Sequence, residues 1–201
     1  MSPMNPDSDS KPADDLVYLY RPSLLGAPWS FQLTPVALAW EAGRRSGLVP
    51  YRDIRRVRLS FKPVSMQTHR YQTEIWAEGA PRLVIVSSSW KSMVEQERLD
   101  KSYSAFVAAL HRRLAAAGVS ASYEQGSAPL RYWPGVVVFA AMALGLAFLI
   151  MRALQSDAPA GAAFIGAFLA LFLWHGGNYF RRNKPGAYTP DTLPEILLPK
   201  A

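Results

Sequence analysis

Cysteine is absent from the 201 residues, which excludes disulfides, thiolate metal sites and cysteine nucleophiles. Charge is scarce as well: 18% of residues are Asp, Glu, Lys or Arg, against roughly 25% in an ordinary soluble domain. The shortage is local, because no charged residue occurs over 132–151 or 158–180 and the rest is charge-rich. There is no Walker glycine loop, no Rossmann glycine pattern and no H-E-x-x-H helix, so nothing points to phosphate-loop, dinucleotide or zincin chemistry. The histidines His69, His111 and His175 are too scattered to suggest a metal site, and no cofactor is expected. The run Ser87-Ser88-Ser89 reads as a strand-to-helix connection with hydroxyl caps; no base is placed beside it, so no enzyme is expected. Residues 1–15 hold four Asp, three Pro and no apolar run. They are expected to form a disordered acidic tail without a secretory h-region, leaving later segments to direct membrane insertion.

Two apolar runs stand out. The first covers 135–151, at the short limit for a membrane span, with Tyr132 and Trp133 before it to sit in the interface. The second covers 160–180 and is closed by Arg181-Arg182-Asn183-Lys184. Together they predict a transmembrane α-helical hairpin over 135–180, since a soluble chain this small has no core in which to hide both. Arg131, Arg181, Arg182 and Lys184 flank the spans, whereas the 152–159 loop holds one Arg and one Asp. The positive-inside rule then puts both termini in the cytoplasm, at an inner (plasma) membrane, and the loop outside. Ala141 and Gly145, facing Ala162, Gly166 and Ala170, have the four-residue spacing of small residues that lets helices approach closely. The equal alternative is that Ala and Gly are simply common in such helices. His175 lies near the end of its span and reads as an interfacial anchor rather than a functional group.

The soluble part reads as 16–118, joined by a polar linker, 119–134. Residues 16–20 are strand-like, and 31–40 alternate, with Pro35 suggesting a bulge or an edge. Residues 43–47 form a hairpin loop before a short return strand. Over 54–61 Val57, Leu59 and Phe61 share one face, and Arg56, Arg58 and Ser60 the other. A polar loop, 62–70, and two more strands follow. A long amphipathic helix is then predicted over 92–117, with a stripe of Leu99, Tyr103, Phe106, Val107, Leu110 and Leu114 and a stop at Gly118. The tail, 181–201, contains four prolines, yet Tyr188, Leu193, Ile196, Leu197 and Leu198 are costly to leave in water. It is expected to dock on the domain or on a partner subunit; the equal alternative is that its leucines dip into the membrane interface.

The net charge of +7 suits an acidic partner or the cytoplasmic side of a membrane. Arg44, Arg45, Arg56 and Arg58 make a basic patch geometrically plausible beside anionic headgroups, the bland alternative being a solvated sheet face. Nucleic acid is not expected, because aromatic residues do not interleave with these arginines.

Leu33-Thr34-Pro35, Leu38-x-Trp40, the hairpin to Gly47, Leu48-Val49-Pro50-Tyr51-Arg52-Asp53-Ile54 and Val57-Arg58-Leu59 together resemble bacterial pleckstrin-homology-like domains of small membrane proteins. The resemblance covers 16–118. It implies an α+β chain: a bent β-barrel or sandwich capped by a C-terminal helix, here followed by the helical hairpin. It implies lipid, peptide or protein binding rather than one function. Eukaryotic lipid-binding members use basic residues of the first hairpin loop and adjoining strands, and Arg44, Arg45, Arg56 and Arg58 are the positions available to match them. The tail over 183–199 is similar to those of small proteobacterial membrane proteins. The expected role is non-enzymatic recognition or scaffolding at the bilayer, with anionic headgroups or another membrane protein as partner.

Overall fold

Period-two alternation over the first third of the chain produces strands whose apolar members all turn one way. In the computed structural model, which describes residues 16–63, 69–92 and 96–199, four of these strands form an antiparallel meander in chain order. They are β1 (Leu16–Tyr20), β2 (Trp29–Leu33), β3 (Ala37–Ala42) and β4 (Arg45–Pro50). A 3-10 turn, Tyr51–Asp53, leads into β5 (Ile54–Pro63), β6 (His69–Ala77) and β7 (Leu83–Val86). β8 (Ser88–Trp90) and β9 (Gln96–Arg98) pair as a small hairpin before helix α1 (Asp100–Ala116). β10 (Ser122–Gln125), the helices α2 (Pro129–Gln155) and α3 (Pro159–Arg182), and β11 (Gly186–Ala187) complete the α+β chain. The second sheet runs β11-β10-β5-β6-β7, with β10 parallel to β5. The acidic tail expected over 1–15 and the middle of the 62–70 loop lie outside the described residues.

One hydrophobic core serves both sheets and α1. Phe31, Leu33 and Leu38 from the first sheet meet Val57, Leu59 and Ile75 from the second, beneath Tyr103, Phe106, Leu110 and Leu114 of α1. Each of these large side chains, fully removed from water, contributes roughly 1.5–3 kcal/mol. Two tyrosines tie the sheet edges together: the Tyr18 hydroxyl donates to the Val86 carbonyl (2.6 Å), and that of Tyr20 to the Val84 carbonyl. The Thr73 and Tyr103 hydroxyls share a buried hydrogen bond of 2.7 Å.

Several elements depart from expectation. Pro35 is not a bulge but the reversal between β2 and β3. Thr34 N–H donates to the Ala37 carbonyl at 2.9 Å, and its hydroxyl oxygen accepts from Ala37 N–H at 3.1 Å, a turn suited to a residue of fixed φ with no donor. The β3–β4 loop is only Gly43-Arg44, with Gly43 at φ +68° and Arg45 already paired to Ala42. Helix α1 starts at Asp100 rather than near 92, because Gln96-Glu97-Arg98 form β9 and pair with β8 instead. Ser88 and Ser89 are therefore strand residues, and the Ser87 hydroxyl oxygen accepts from Tyr71 N–H at 3.0 Å rather than capping a helix. The stretch 119–134 is not a free linker: it supplies β10 and the first turn of α2. α2 runs on to Gln155, so only Ser156, Asp157 and Ala158 separate the long helices.

The tail docks onto the domain. β11 pairs with β10, Tyr188 N–H donates to the Tyr123 carbonyl at 3.1 Å, and Leu197 is 1% exposed within the core. Four of the five apolar side chains, Tyr188, Leu193, Leu197 and Leu198, find cover there, while Ile196 stays 42% exposed.

Candidate functional site

On β5, the residues that alternate with the core positions form an outward row: Arg56, Arg58, Ser60 and Lys62. Register places Trp76, Glu74, Gln72 and Arg70 of β6 directly opposite them. The Arg56 guanidinium stands 4.2 Å from the Trp76 ring centroid and that of Arg58 5.3 Å, which is cation–π range. Arg58 Nε donates to Glu124 Oε2 at 2.9 Å, and its Nη2 donates to the same oxygen. Arg56 Nη1 is 3.8 Å from Glu124 Oε1. Parallel pairing of β10 with β5 thus carries a carboxylate to both arginines. Arg44 and Arg45 sit exposed at the β3–β4 tip, on the other sheet. The four arginines expected as one patch are therefore two pairs, and one pair shares the single carboxylate of Glu124, a residue that a linker reading hides.

The foot of the helical hairpin is bolted to this sheet. Asn183, just past α3, is fully buried; its Oδ1 accepts from Phe61 N–H at 3.1 Å and its Nδ2 donates to the Tyr179 carbonyl at 3.2 Å. Its own carbonyl accepts from Ser127 N–H at 2.9 Å. Gly126 has φ +75°, and a Cβ there would lie 2.4 Å from the carbonyl oxygens of Asn183 and Lys184, so only glycine fits this crossing. Arg182 lies 4.7 Å from the Phe61 ring centroid and donates to the Tyr71 hydroxyl at 3.0 Å.

Between that joint and the outer row of β5 opens a polar cleft of about 390 Å³. Arg58, Ser60 and Lys62 line its sheet side, Arg82 one flank, and Arg131 and Tyr179 the helical side. Glu74, the carboxylate in its wall, is 7% exposed and 3.4 Å from Arg82 Nη1. Desolvation holds Lys62 below the ordinary lysine range; Arg70, Arg82 and Arg131 push the same way, and Glu74 opposes. Ser60 is 4% exposed, and among the described residues no group hydrogen-bonds its hydroxyl. Sequence alternation identified Arg58 and Ser60 as face-mates but missed Lys62, Arg82 and Arg131, which only the joint brings together.

Among the described residues there is no cluster of three His, Asp or Glu fit for a metal. His111 is buried, between the Val107 carbonyl and the Tyr188 hydroxyl. His175 is exposed, its Nδ1 3.1 Å from the Leu171 carbonyl of its own helix. The small residues expected to mate the long helices do so only at Ala162, which is 6% exposed. Ala141, Gly145 and Ala170 are exposed, and a Cβ on Gly145 or Gly166 would meet nothing within 4 Å. The contact is aromatic instead. Phe139 stacks on Phe172 at 4.6 Å and packs against Phe180 at 5.1 Å, while a Cβ on Gly176 would fall 2.1 Å from the Phe139 ring. Large rings fill the gap nearer the foot, so the helices have no need of a small-residue seam there.

No protein-family model matches the chain, and no curated protein and no solved structure matches it.

Proposed function

We propose that this chain is a membrane-anchored, non-enzymatic recognition or scaffolding protein. In this reading α2 and α3 cross a bacterial inner membrane, and the β domain and both termini lie in the cytoplasm. The observation that carries it is the surface of two helices, of 27 and 24 residues, that are long and apolar enough to cross a membrane. Val137 is 67% exposed, Leu144 72% and Phe164 77%. Leaving such side chains in water costs about 25 cal/mol for each Å² of apolar area, and a bilayer removes that cost. Tyr132, Trp133, Tyr179 and Phe180 gather at the foot, the level of an aromatic interface belt, with Arg131, Arg181, Arg182 and Lys184 beside them.

The four-stranded meander, the β5–β7 sheet and the closing helix α1 support a pleckstrin-homology-like reading of 16–118. A headgroup module built from Arg44, Arg45, Arg56 and Arg58 is the weaker reading, given Glu124 and the division between sheets. Reporter fusions test the topology. A reporter after Lys184 should read cytoplasm, and one between Ser156 and Ala158 should read exterior. The reverse pattern, or a chain that alkaline washing strips from the membrane, defeats the proposal.

A further inference from the structure

We propose that the cleft between the outer face of β5 and the foot of the α2–α3 hairpin binds a phosphate group, and that its occupant is the phosphate of an anionic phospholipid headgroup. Only the source of the phosphate rests on the membrane reading; the recognition chemistry does not.

Charge balance is the first argument. Four cations line the cleft, and carboxylates answer two of them: Arg58 binds Glu124, and Arg82 lies against Glu74. Lys62 and Arg131 form no ion pair among the described residues. The cleft therefore holds two more cations than its carboxylates answer, both exposed at its mouth, and an entering anion would balance them; desolvation first, then Arg70, Arg82 and Arg131, hold Lys62 low there. Ser60 is the second argument. The residue lines the cleft, and its buried hydroxyl has no hydrogen-bond partner among the described residues, which is rare for a buried polar side chain. A phosphate oxygen would accept its hydrogen bond. Third, Ser127 and Ala128, which also line the cleft, lead into α2 and bring the positive end of a 27-residue helix dipole to the same place.

Position selects the lipid. Arg131 is followed at once by Tyr132, Trp133 and the charge-free run, so the cleft lies one turn from the apolar surface of the helices. That is where headgroup phosphates sit against a hydrocarbon boundary. Arg131 presents a planar donor fork and Lys62 a mobile point charge, a combination suited to a phosphodiester.

The test uses the full chain in a neutral maltoside detergent. Melting temperature is followed while phosphatidylglycerol, phosphatidylcholine or inorganic phosphate is added at constant ionic strength. Phosphatidylglycerol should raise it and phosphatidylcholine should not. In the double variant K62Q/R131Q the half-effective phosphatidylglycerol concentration should rise by about twenty-five-fold, roughly fivefold for each cation removed. Ser60→Ala should also weaken the response, although it relieves an unpartnered hydroxyl. R44Q/R45Q removes the same charge elsewhere and should respond as the wild type does. An equal loss in R44Q/R45Q, or no stabilisation by either phosphate source, overturns the site. Equal stabilisation by inorganic phosphate keeps the site and overturns the lipid as its occupant. A chain that washes from membranes yet still responds to phosphate sinks the membrane reading and leaves the cleft standing.

Discussion

Acidification should loosen the C-terminal tail through His111. The imidazole is 1% exposed, with Nδ1 2.7 Å from the Val107 carbonyl and Nε2 2.8 Å from the Tyr188 hydroxyl. A carbonyl only accepts, so Nδ1 carries the proton and Nε2 accepts from Tyr188. Burial pushes the imidazole down from 6.5 to about 4, and the Val107 carbonyl opposes this only in part. The unfolded chain therefore takes up the proton near 6.5 and the folded chain only near 4. Between those values the unfolded state holds more protons, so stability falls as pH falls through 6.5 and levels off below about 4. The full shift corresponds to about 3 kcal/mol, of which about 2 kcal/mol is already lost at roughly pH 5. Protonation also turns Nε2 into a donor, so Tyr188 must surrender the hydrogen bond it donates. Differential scanning fluorimetry of the detergent-solubilised chain, at about pH 7.5 and about pH 5, should show a fall of roughly 4–8 °C. His111→Gln, which cannot titrate there, should lose most of that difference. The same fall in H111Q would place the pH dependence on other groups and refute the argument.

Leu197→Ala should cost about 2–5 kcal/mol in denaturant unfolding, because it opens a cavity in a core that the tail helps to close. Loss of under about 0.5 kcal/mol would mean the tail merely rests on the domain. Gly176→Ala should destabilise the hairpin by about 1–3 kcal/mol in unfolding by mixed micelles, since the Phe139 ring it meets is held by Phe172 and Phe180. Gly145→Ala, facing open space, should be silent; the opposite ranking would restore the small-residue seam.

What the sequence determined by itself was everything carried by local periodicity and by solvent preference. Two charge-free runs could only be long apolar helices, the stripe from Tyr103 to Leu114 could only be one buried face of α1, and alternation along β5 sorted Val57 from Arg58. The leucines of the tail announced that it needed cover. Partnership between distant segments was decided by tertiary structure alone. Ser122–Gln125 is too short and polar to declare itself a strand; it becomes one because β5 offers an open edge beside it. That pairing brings one carboxylate, Glu124, to both Arg56 and Arg58, while Arg44 and Arg45 lie on the other sheet, so the patch that local spacing suggests is split and half of one part is offset. The same crossing, at Gly126 and Asn183, sets Arg131 over Lys62 and Ser60. Nothing in the residues near Lys62 foretells Arg131, because a hydrophobic pattern records which side of an element meets solvent and not which other element will meet it there.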